Sequence, residues 1–154
     1  MKLALITAAA FVTAGAAFAG EIAPKDVVMT EGAVEASLTG VAGNAAEGGK
    51  VMANRAQGNC VACHEVSSLK AAFQGNVGPS LDGAGSRWSE AQLRGMLVNP
   101  KMTFEGTVMP AFYKVDGYTR PGDGYTGKAA TEITPVLTAQ QIEDVVAFLA
   151  ALKE

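Results

Sequence analysis

The chain has 154 residues, and 12 lysines and arginines against 15 aspartates and glutamates give it a formal net charge of -3. That length suits one domain with a single core, and the negative charge argues against nucleic acid as a partner. The two cysteines and one histidine are too few for a zinc site built from two pairs of cysteine or histidine ligands.

The N-terminus has the pattern of a secretory signal peptide at residues 1–19. Lys2 precedes an apolar run over residues 3–18, and Ala17 and Ala19 form a small-residue cleavage pattern. The run is rich in alanine and shorter than the ~20 strongly apolar residues of a membrane-spanning helix, so an uncleaved anchor is less favoured. We expect cleavage after Ala19, export to the periplasm and no membrane span in the mature chain.

Residues 20–43 contain scattered proline, threonine and glycine, and their apolar residues hold no sustained helical period. We predict a loosely structured N-terminal extension, followed by one domain at residues 44–154. A partner-binding arm is the alternative interpretation of this extension.

The predicted domain begins with a helix. Asn44 and Glu47 have the spacing of a capping box, and Gly58 is suited to a left-handed C-terminal cap, so the helix is predicted to lie between them. Gly48 and Gly49 fall inside it, where each glycine costs about 1 kcal/mol relative to alanine. That cost indicates close approach by another element, although a tolerant first turn would also explain it.

Residues 58–64 read Gly-Asn-Cys-Val-Ala-Cys-His, which contains the C-x-x-C-H signature of c-type haem attachment. Two thiols at this spacing reach the two vinyl groups of a haem, and the next side chain places an imidazole on the iron. Cys60 and Cys63 are therefore predicted to anchor one covalent haem c, with His64 as an iron ligand. A redox-active dithiol lacks the βαβ pattern that it would need nearby, and a zinc site lacks a second ligand pair.

Two features are predicted after the motif. Val66, Leu69 and Phe73 share one side of a possible short helical turn. Further along, Pro79 is a candidate to accept the second ring N–H of a metal-bound His64 through its carbonyl. An ordinary turn proline is the alternative.

A second helix is predicted from a capping box at Ser89 and Gln92, and Pro100 stops it. Leu93, Met96 and Leu97 recur at i, i+3 and i+4 on its apolar stripe. Met96 is therefore predicted to belong to the core.

The loop after this helix is predicted to supply the sixth iron ligand. Because His64 is the only histidine, the iron cannot be bis-histidine, and methionine is the usual alternative in cytochromes c. Met102 and Met109 both lie in this loop. Met109 is favoured because a proline follows it and because it lies far enough downstream to reach the opposite haem face. The alternatives to Met109 are that Met102 is the ligand or that no methionine binds the iron.

Residues 113–136 form a long, turn-rich insertion that contains all three tyrosines of the chain. Loops of this length are usually functional or disordered, and tyrosine with arginine is typical of interface hot spots. We predict a partner surface here, and a self-packed surface loop is the alternative.

The most regular predicted helix closes the chain. Thr138 and Gln141 form a third capping box. The apolar stripe that follows must be buried, and we predict that Phe148 crosses Gly48 or Gly49. The stripe consists of Ile142, Val145, Val146, Leu149 and Leu152.

The order of these features resembles a class I cytochrome c over residues 44–154. The resemblance implies an all-α fold, here with an N-terminal extension and a long loop before the C-terminal helix. Within that class, residues 58–64, 75–81, 99–100 and 107–113 are similar to the SoxX family, the monohaem subunits of SoxAX complexes in bacterial thiosulfate oxidation.

The resemblance to SoxX implies a heterodimer with a larger SoxA-type subunit, which bears its own haem and conjugates thiosulfate to a cysteine of a sulfur-carrier protein. This activity is that of an L-cysteine S-thiosulfotransferase. The chain would accept the electrons at an iron held by His64 and Met109 and pass them to a soluble cytochrome. It would not be catalytic alone, because it has no spare cysteine. A freestanding electron shuttle is the alternative function, followed by a ligand-binding haem protein with an open iron.

Overall fold

A computed structural model describes residues 20–154, and the predicted signal peptide lies outside them. The described residues contain helices and no β-strand, which confirms the all-α class. No helix in this part of the chain is long and apolar enough to span a membrane. The four α-helices are α1 (Ala45–Ala53), α2 (Ala84–Arg87), α3 (Glu90–Val98) and α4 (Ala139–Ala151), and single 3-10 turns lie at Pro24–Asp26, Cys60–Ala62 and Pro100–Met102.

Asn44 caps the start of α1 as predicted, but only one of the two hydrogen bonds of a capping box is present. The Asn44 side-chain oxygen accepts the N–H groups of Ala46 and Glu47. Glu47 does not reach back, because its carboxylate pairs with Lys50 at 2.7 Å. The Asn44 N–H instead donates to Asp144 Oδ1 at 2.8 Å, so α4 completes the cap of α1.

The end of α1 differs from the prediction. The helix stops at Ala53, and the left-handed residue before the C-x-x-C-H motif is Asn59, with φ of 46°, rather than Gly58. Gly58 is buried, and a Cβ there would lie 3.1 Å from the Val51 carbonyl oxygen. Glycine is thus needed here because the backbone packs closely on α1, and not because it adopts a left-handed conformation.

The crossing of α1 and α4 is confirmed. A side chain on Gly48 would overlap the backbone carbonyl of Asp144, and a Cβ on Gly49 would lie 3.1 Å from the Phe148 ring. The two glycines let the helix backbones approach each other. The buried stripe of α4 packs into the core at Ile142, Val145, Val146 and Leu149, while Leu152 is the partly buried C-terminal cap.

Helix α3 begins with both bonds of the predicted capping box at Ser89, and Leu93 and Leu97 of the expected stripe are buried. Met96 is only half-buried, while Arg94 and Gly95 are buried. A side chain on Gly95 would overlap the backbone of Gly32. Because this contact turns α3 toward the N-terminal segment, the prediction of Met96 as a core residue was wrong.

The segment over residues 20–43 is more firmly held than predicted. Val34 and Leu38 are fully buried. Arg94 donates through Nη1 to the Val34 carbonyl at 2.9 Å, and Glu143 Oε1 accepts the Leu38 N–H at 2.8 Å. Arg94 and Glu143 also pair with each other through two bonds, at 2.8 and 3.0 Å. A buried ion pair between α3 and α4 therefore fixes the segment.

The loop over residues 113–136 has no helix, and its middle lies on the surface. Tyr113 is buried in the core, so only two of the three tyrosines belong to an exposed surface. The middle of the loop closes on itself through a single bridge between Gly122 and Ala129.

Candidate functional site

The C-x-x-C-H motif forms one tight turn. Asn59, in the left-handed conformation, leads into the 3-10 turn Cys60–Ala62. The Cys60 carbonyl accepts the N–H groups of both Cys63 and His64, at 3.1 and 3.0 Å. Cys63 and His64 thus share the Cys60 carbonyl as one backbone acceptor, and the structure brings all three predicted residues together.

The two cysteines lie in different environments and form no disulfide. Cys60 is half-buried and Cys63 is exposed. In the chain before haem attachment, burial raises the pKa of the Cys60 thiol to about 11, and the neighbouring Cys63 adds to the rise. Such a rise disfavours the thiolate of Cys60. The described residues also contain no group of three histidine, cysteine or acidic side chains that could hold a metal ion.

The ring of His64 is oriented by the residues around Pro79. Its Nδ1 lies 2.7 Å from the Pro79 carbonyl oxygen, which can only accept, so Nδ1 carries the proton and Nε2 is left for a metal. A side chain on Gly78 would overlap the ring. The predicted role of Pro79 is therefore confirmed, and Gly78 provides the space that this ring position needs.

The loop after His64 is organised by Gln74, a residue that the sequence analysis missed. Its Oε1 accepts the Val66 N–H at 2.5 Å, and its Nε2 donates to the carbonyls of Val66 and Leu69 at 3.2 and 2.8 Å. A single turn forms, in which the Leu69 N–H donates to the Val66 carbonyl at 3.0 Å. Val66 is buried in the core and Leu69 packs against it, whereas Phe73 is 97% exposed. The prediction of one shared face is therefore confirmed for Val66 and Leu69 and wrong for Phe73.

The two candidate methionines differ in burial. Met109 is half-buried and packs against the hydrophobic core, whereas Met102 is 59% exposed. The Met109 N–H donates to Thr107 Oγ1 at 3.2 Å, and the Met109 carbonyl accepts from Lys101 Nζ at 3.1 Å. The Met102 N–H also bonds, to the Asn99 carbonyl at 3.1 Å, so it is the greater burial of Met109 that favours it over Met102 as the ligand.

The chemistry of these residues fits a haem. An imidazole with a free Nε2, a thioether and two thiols at C-x-x-C spacing form the donor set of a c-type cytochrome. Val77, next to Gly78, and Val108, next to Met109, are both largely exposed. Apolar side chains beside both candidate ligands suit contact with an apolar macrocycle.

Comparison with known proteins also assigns the chain to the c-type cytochromes. The family model for cytochrome c matches residues 45–153, a span that contains all four α-helices and the C-x-x-C-H motif. A chain in the crystal structure of SoxXA from P. pantotrophus is 64% identical, with a TM-score of 0.84, and the match covers 88% of this chain and 100% of that one. Among curated protein sequences, no match was found.

Proposed function

The chain belongs to the cytochrome c family and, within it, to the SoxX type, and from that premise we propose that it is the electron-accepting subunit of a periplasmic SoxAX-type complex. It binds one covalent haem c and takes part in electron transport in thiosulfate oxidation. The observation that carries the proposal is the 64% identity over the full length of a chain from SoxXA.

In this proposal, four side chains hold the haem. Cys60 and Cys63 bind it covalently, His64 ligates the iron through Nε2, and Met109 ligates it through its sulfur. The bound haem supplies a one-electron redox centre whose potential methionine ligation raises. The Pro79 carbonyl keeps the His64 ring in place, and the bonds to the Met109 backbone keep the thioether in place.

The cysteines determine which subunit of the complex would carry out the sulfur chemistry and which would accept the electrons. Both cysteines of the chain are used by the haem, so no thiol is left to receive sulfur. The larger SoxA-type subunit would join thiosulfate to the thiol of the sulfur-carrier protein. That S–S bond formation releases two electrons and a proton from the thiol. The chain would take the electrons one at a time and pass them to a soluble cytochrome acceptor.

Stopped-flow absorbance of the haem tests this function. We expect the purified, oxidised protein to stay oxidised for minutes with thiosulfate alone, because it offers neither a free thiol nor an open iron position. It should be reduced once the SoxA-type subunit and the sulfur-carrier protein are added. Rapid reduction by thiosulfate alone would contradict the need for a partner. No reduction with all components present would favour a freestanding shuttle.

A separate test addresses the sixth ligand. Met109→Ala should abolish the sulfur-to-iron charge-transfer band of the oxidised protein, while Met102→Ala, the matched control in the same loop, should retain it. The assignment is wrong if the band survives in the Met109 variant and disappears in the Met102 variant.

A further inference from the structure

Phe73 combines two unfavourable features. Its side chain is 97% exposed to solvent, and its φ of 59° lies in the left-handed region, where a bulky side chain is an outlier. The fold therefore holds an aromatic ring in water at a conformational cost. Observed strain of this kind points to a function.

The conformation of Phe73 is imposed by its neighbours. Gln74 ties the loop before Phe73 through its bonds to Val66 and Leu69. The Gly75 N–H donates to the Val61 carbonyl at 2.8 Å, inside the C-x-x-C-H motif. With both sides fixed, Phe73 projects from a rigid base at the edge of the candidate haem site.

The chain that follows Phe73 is free of charge, although exposed Lys70 lies three positions before it. Residues 71–81 contain no charged side chain, and Ala72 and Asn76 are exposed as well as Phe73. Depletion of charge around an aromatic anchor is typical of the core of a stable protein interface. Brief encounters between redox proteins have small interfaces, and charged patches guide such encounters.

The loop over residues 113–136 offers the best comparison. Tyr125 is 99% exposed, but its φ is not positive. Asp123 Oδ1 accepts the N–H groups of Tyr125 and Thr126, at 2.8 and 2.7 Å, so this loop settles into an ordinary turn. Arg120 and Lys128 place charges on either side of it.

We infer that Phe73 is an anchor through which the larger, haem-bearing SoxA-type subunit docks beside the haem of this chain. The inference rests on the proposed function, because that function supplies the partner. An uncharged, preorganised aromatic surface fits a permanent subunit better than a transient acceptor. It also places the contact next to the C-x-x-C-H motif, where an electron would enter.

Phe73→Asn in the mature holo-protein tests the inference, because asparagine tolerates the left-handed conformation. The melting temperature should rise by about 2 to 4 °C as strain is relieved, while the dissociation constant for the SoxA-type subunit should increase at least about tenfold, as for a hot-spot residue. Tyr125→Ala, which removes an equally exposed aromatic, should leave that constant within about twofold.

Each other result would overturn the inference. If the wild-type protein binds the SoxA-type subunit and Phe73→Asn binds it equally well, the anchor is wrong and the proposed function stands. Loss of affinity in Tyr125→Ala alone would place the interface on the other loop. A changed haem spectrum in isolated Phe73→Asn would show that the ring packs on the haem. Slower electron transfer to a soluble acceptor with unchanged subunit affinity would assign the surface to the acceptor. If the wild-type protein does not bind the subunit at all, both proposals fail.

Discussion

Residues 20–43 and residues 113–136 both lack α-helix, yet the fold holds them in different ways. The first segment places Val34 and Leu38 in the core and bonds to a buried ion pair between α3 and α4. The second begins at buried Tyr113 and is followed directly by buried Leu137. Between these two residues it relies on bonds to its own residues, such as those to Asp123.

The difference shows that composition does not decide whether an irregular segment is rigid. Each segment contains four glycines, together with proline and threonine. The first is fixed because buried charges on distant helices satisfy its backbone, as in the bond from Leu38 to Glu143 across 105 residues. Changes at four sites test this contrast, in order of decreasing expected effect.

The largest effect is expected from Glu143→Ala, which leaves the Arg94 guanidinium buried without its partner. Such a loss costs about 3 to 5 kcal/mol, and chemical denaturation of the holo-protein would measure it. The matched control is Glu47→Ala, which removes an exposed pair with Lys50 and should change stability by less than about 1 kcal/mol. Equal effects of the two variants would show that the buried pair does not anchor the segment.

Leu38→Ala should destabilise the protein by about 2 to 5 kcal/mol, because it removes a fully buried side chain and leaves a cavity. The same truncation of exposed Val136 in the second segment should cost less than about 0.5 kcal/mol. The comparison fails if thermal melting shows similar losses for both variants.

Tyr113→Phe tests the point where the two segments meet. The Tyr113 hydroxyl donates to the Ile22 carbonyl at 2.8 Å, and losing this bond should cost about 1 kcal/mol. Burial, then the charge of Glu21 and the hydrogen bond to it, raises the pKa of Tyr113 to about 12.

The raised pKa of Tyr113 also predicts a pH dependence. An unfolded tyrosine ionises near pH 10, so stability should fall as pH rises from about 10 to 12, where only the unfolded chain releases the proton. Denaturation midpoints across this range should decline less in Tyr113→Phe than in the wild type. Tyr118→Phe, at an exposed tyrosine, should keep the full decline.

The smallest effect is expected from replacing residues 122–129 with two glycines. The Ala130 N–H already bonds to the Pro121 carbonyl at 3.1 Å, so the cut ends lie close together. Because the removed turn is exposed and bonds mainly to itself, the free energy of unfolding should change by less than about 1 kcal/mol. A loss as large as that of Leu38→Ala would mean that this loop is anchored like the first segment.

Local features of the fold were predictable from the sequence, because each rests on residues a few positions apart. The capping boxes at Ser89 and Thr138 and the C-x-x-C-H turn are of this kind. The pairing of Gly49 with Phe148 was also predictable, since a helix glycine and an unpaired apolar stripe both need an explanation.

The remaining features depend on partners that are distant in sequence or ambiguous in type. Arg94 and Glu143 look like two surface charges until the helices that carry them pack together. Gln74 gives no local signal that it will bond to the backbone of Val66. The strained backbone of Phe73 follows from those bonds, so it could not be predicted from the sequence either. For the iron, the sequence reduced the sixth ligand to two loop methionines and favoured Met109, and the greater burial of Met109 agrees with that preference.

The contacts of α4 set an order for folding. This helix of 13 residues packs on α1, α2 and α3 and supplies the acceptor for Leu38, yet it follows all three in the chain. Contacts so distant in sequence form slowly, because a long loop must close first. We therefore expect the segment around Cys60 and Cys63 to stay accessible until α4 has packed, which gives the haem-attachment machinery an interval in which to act.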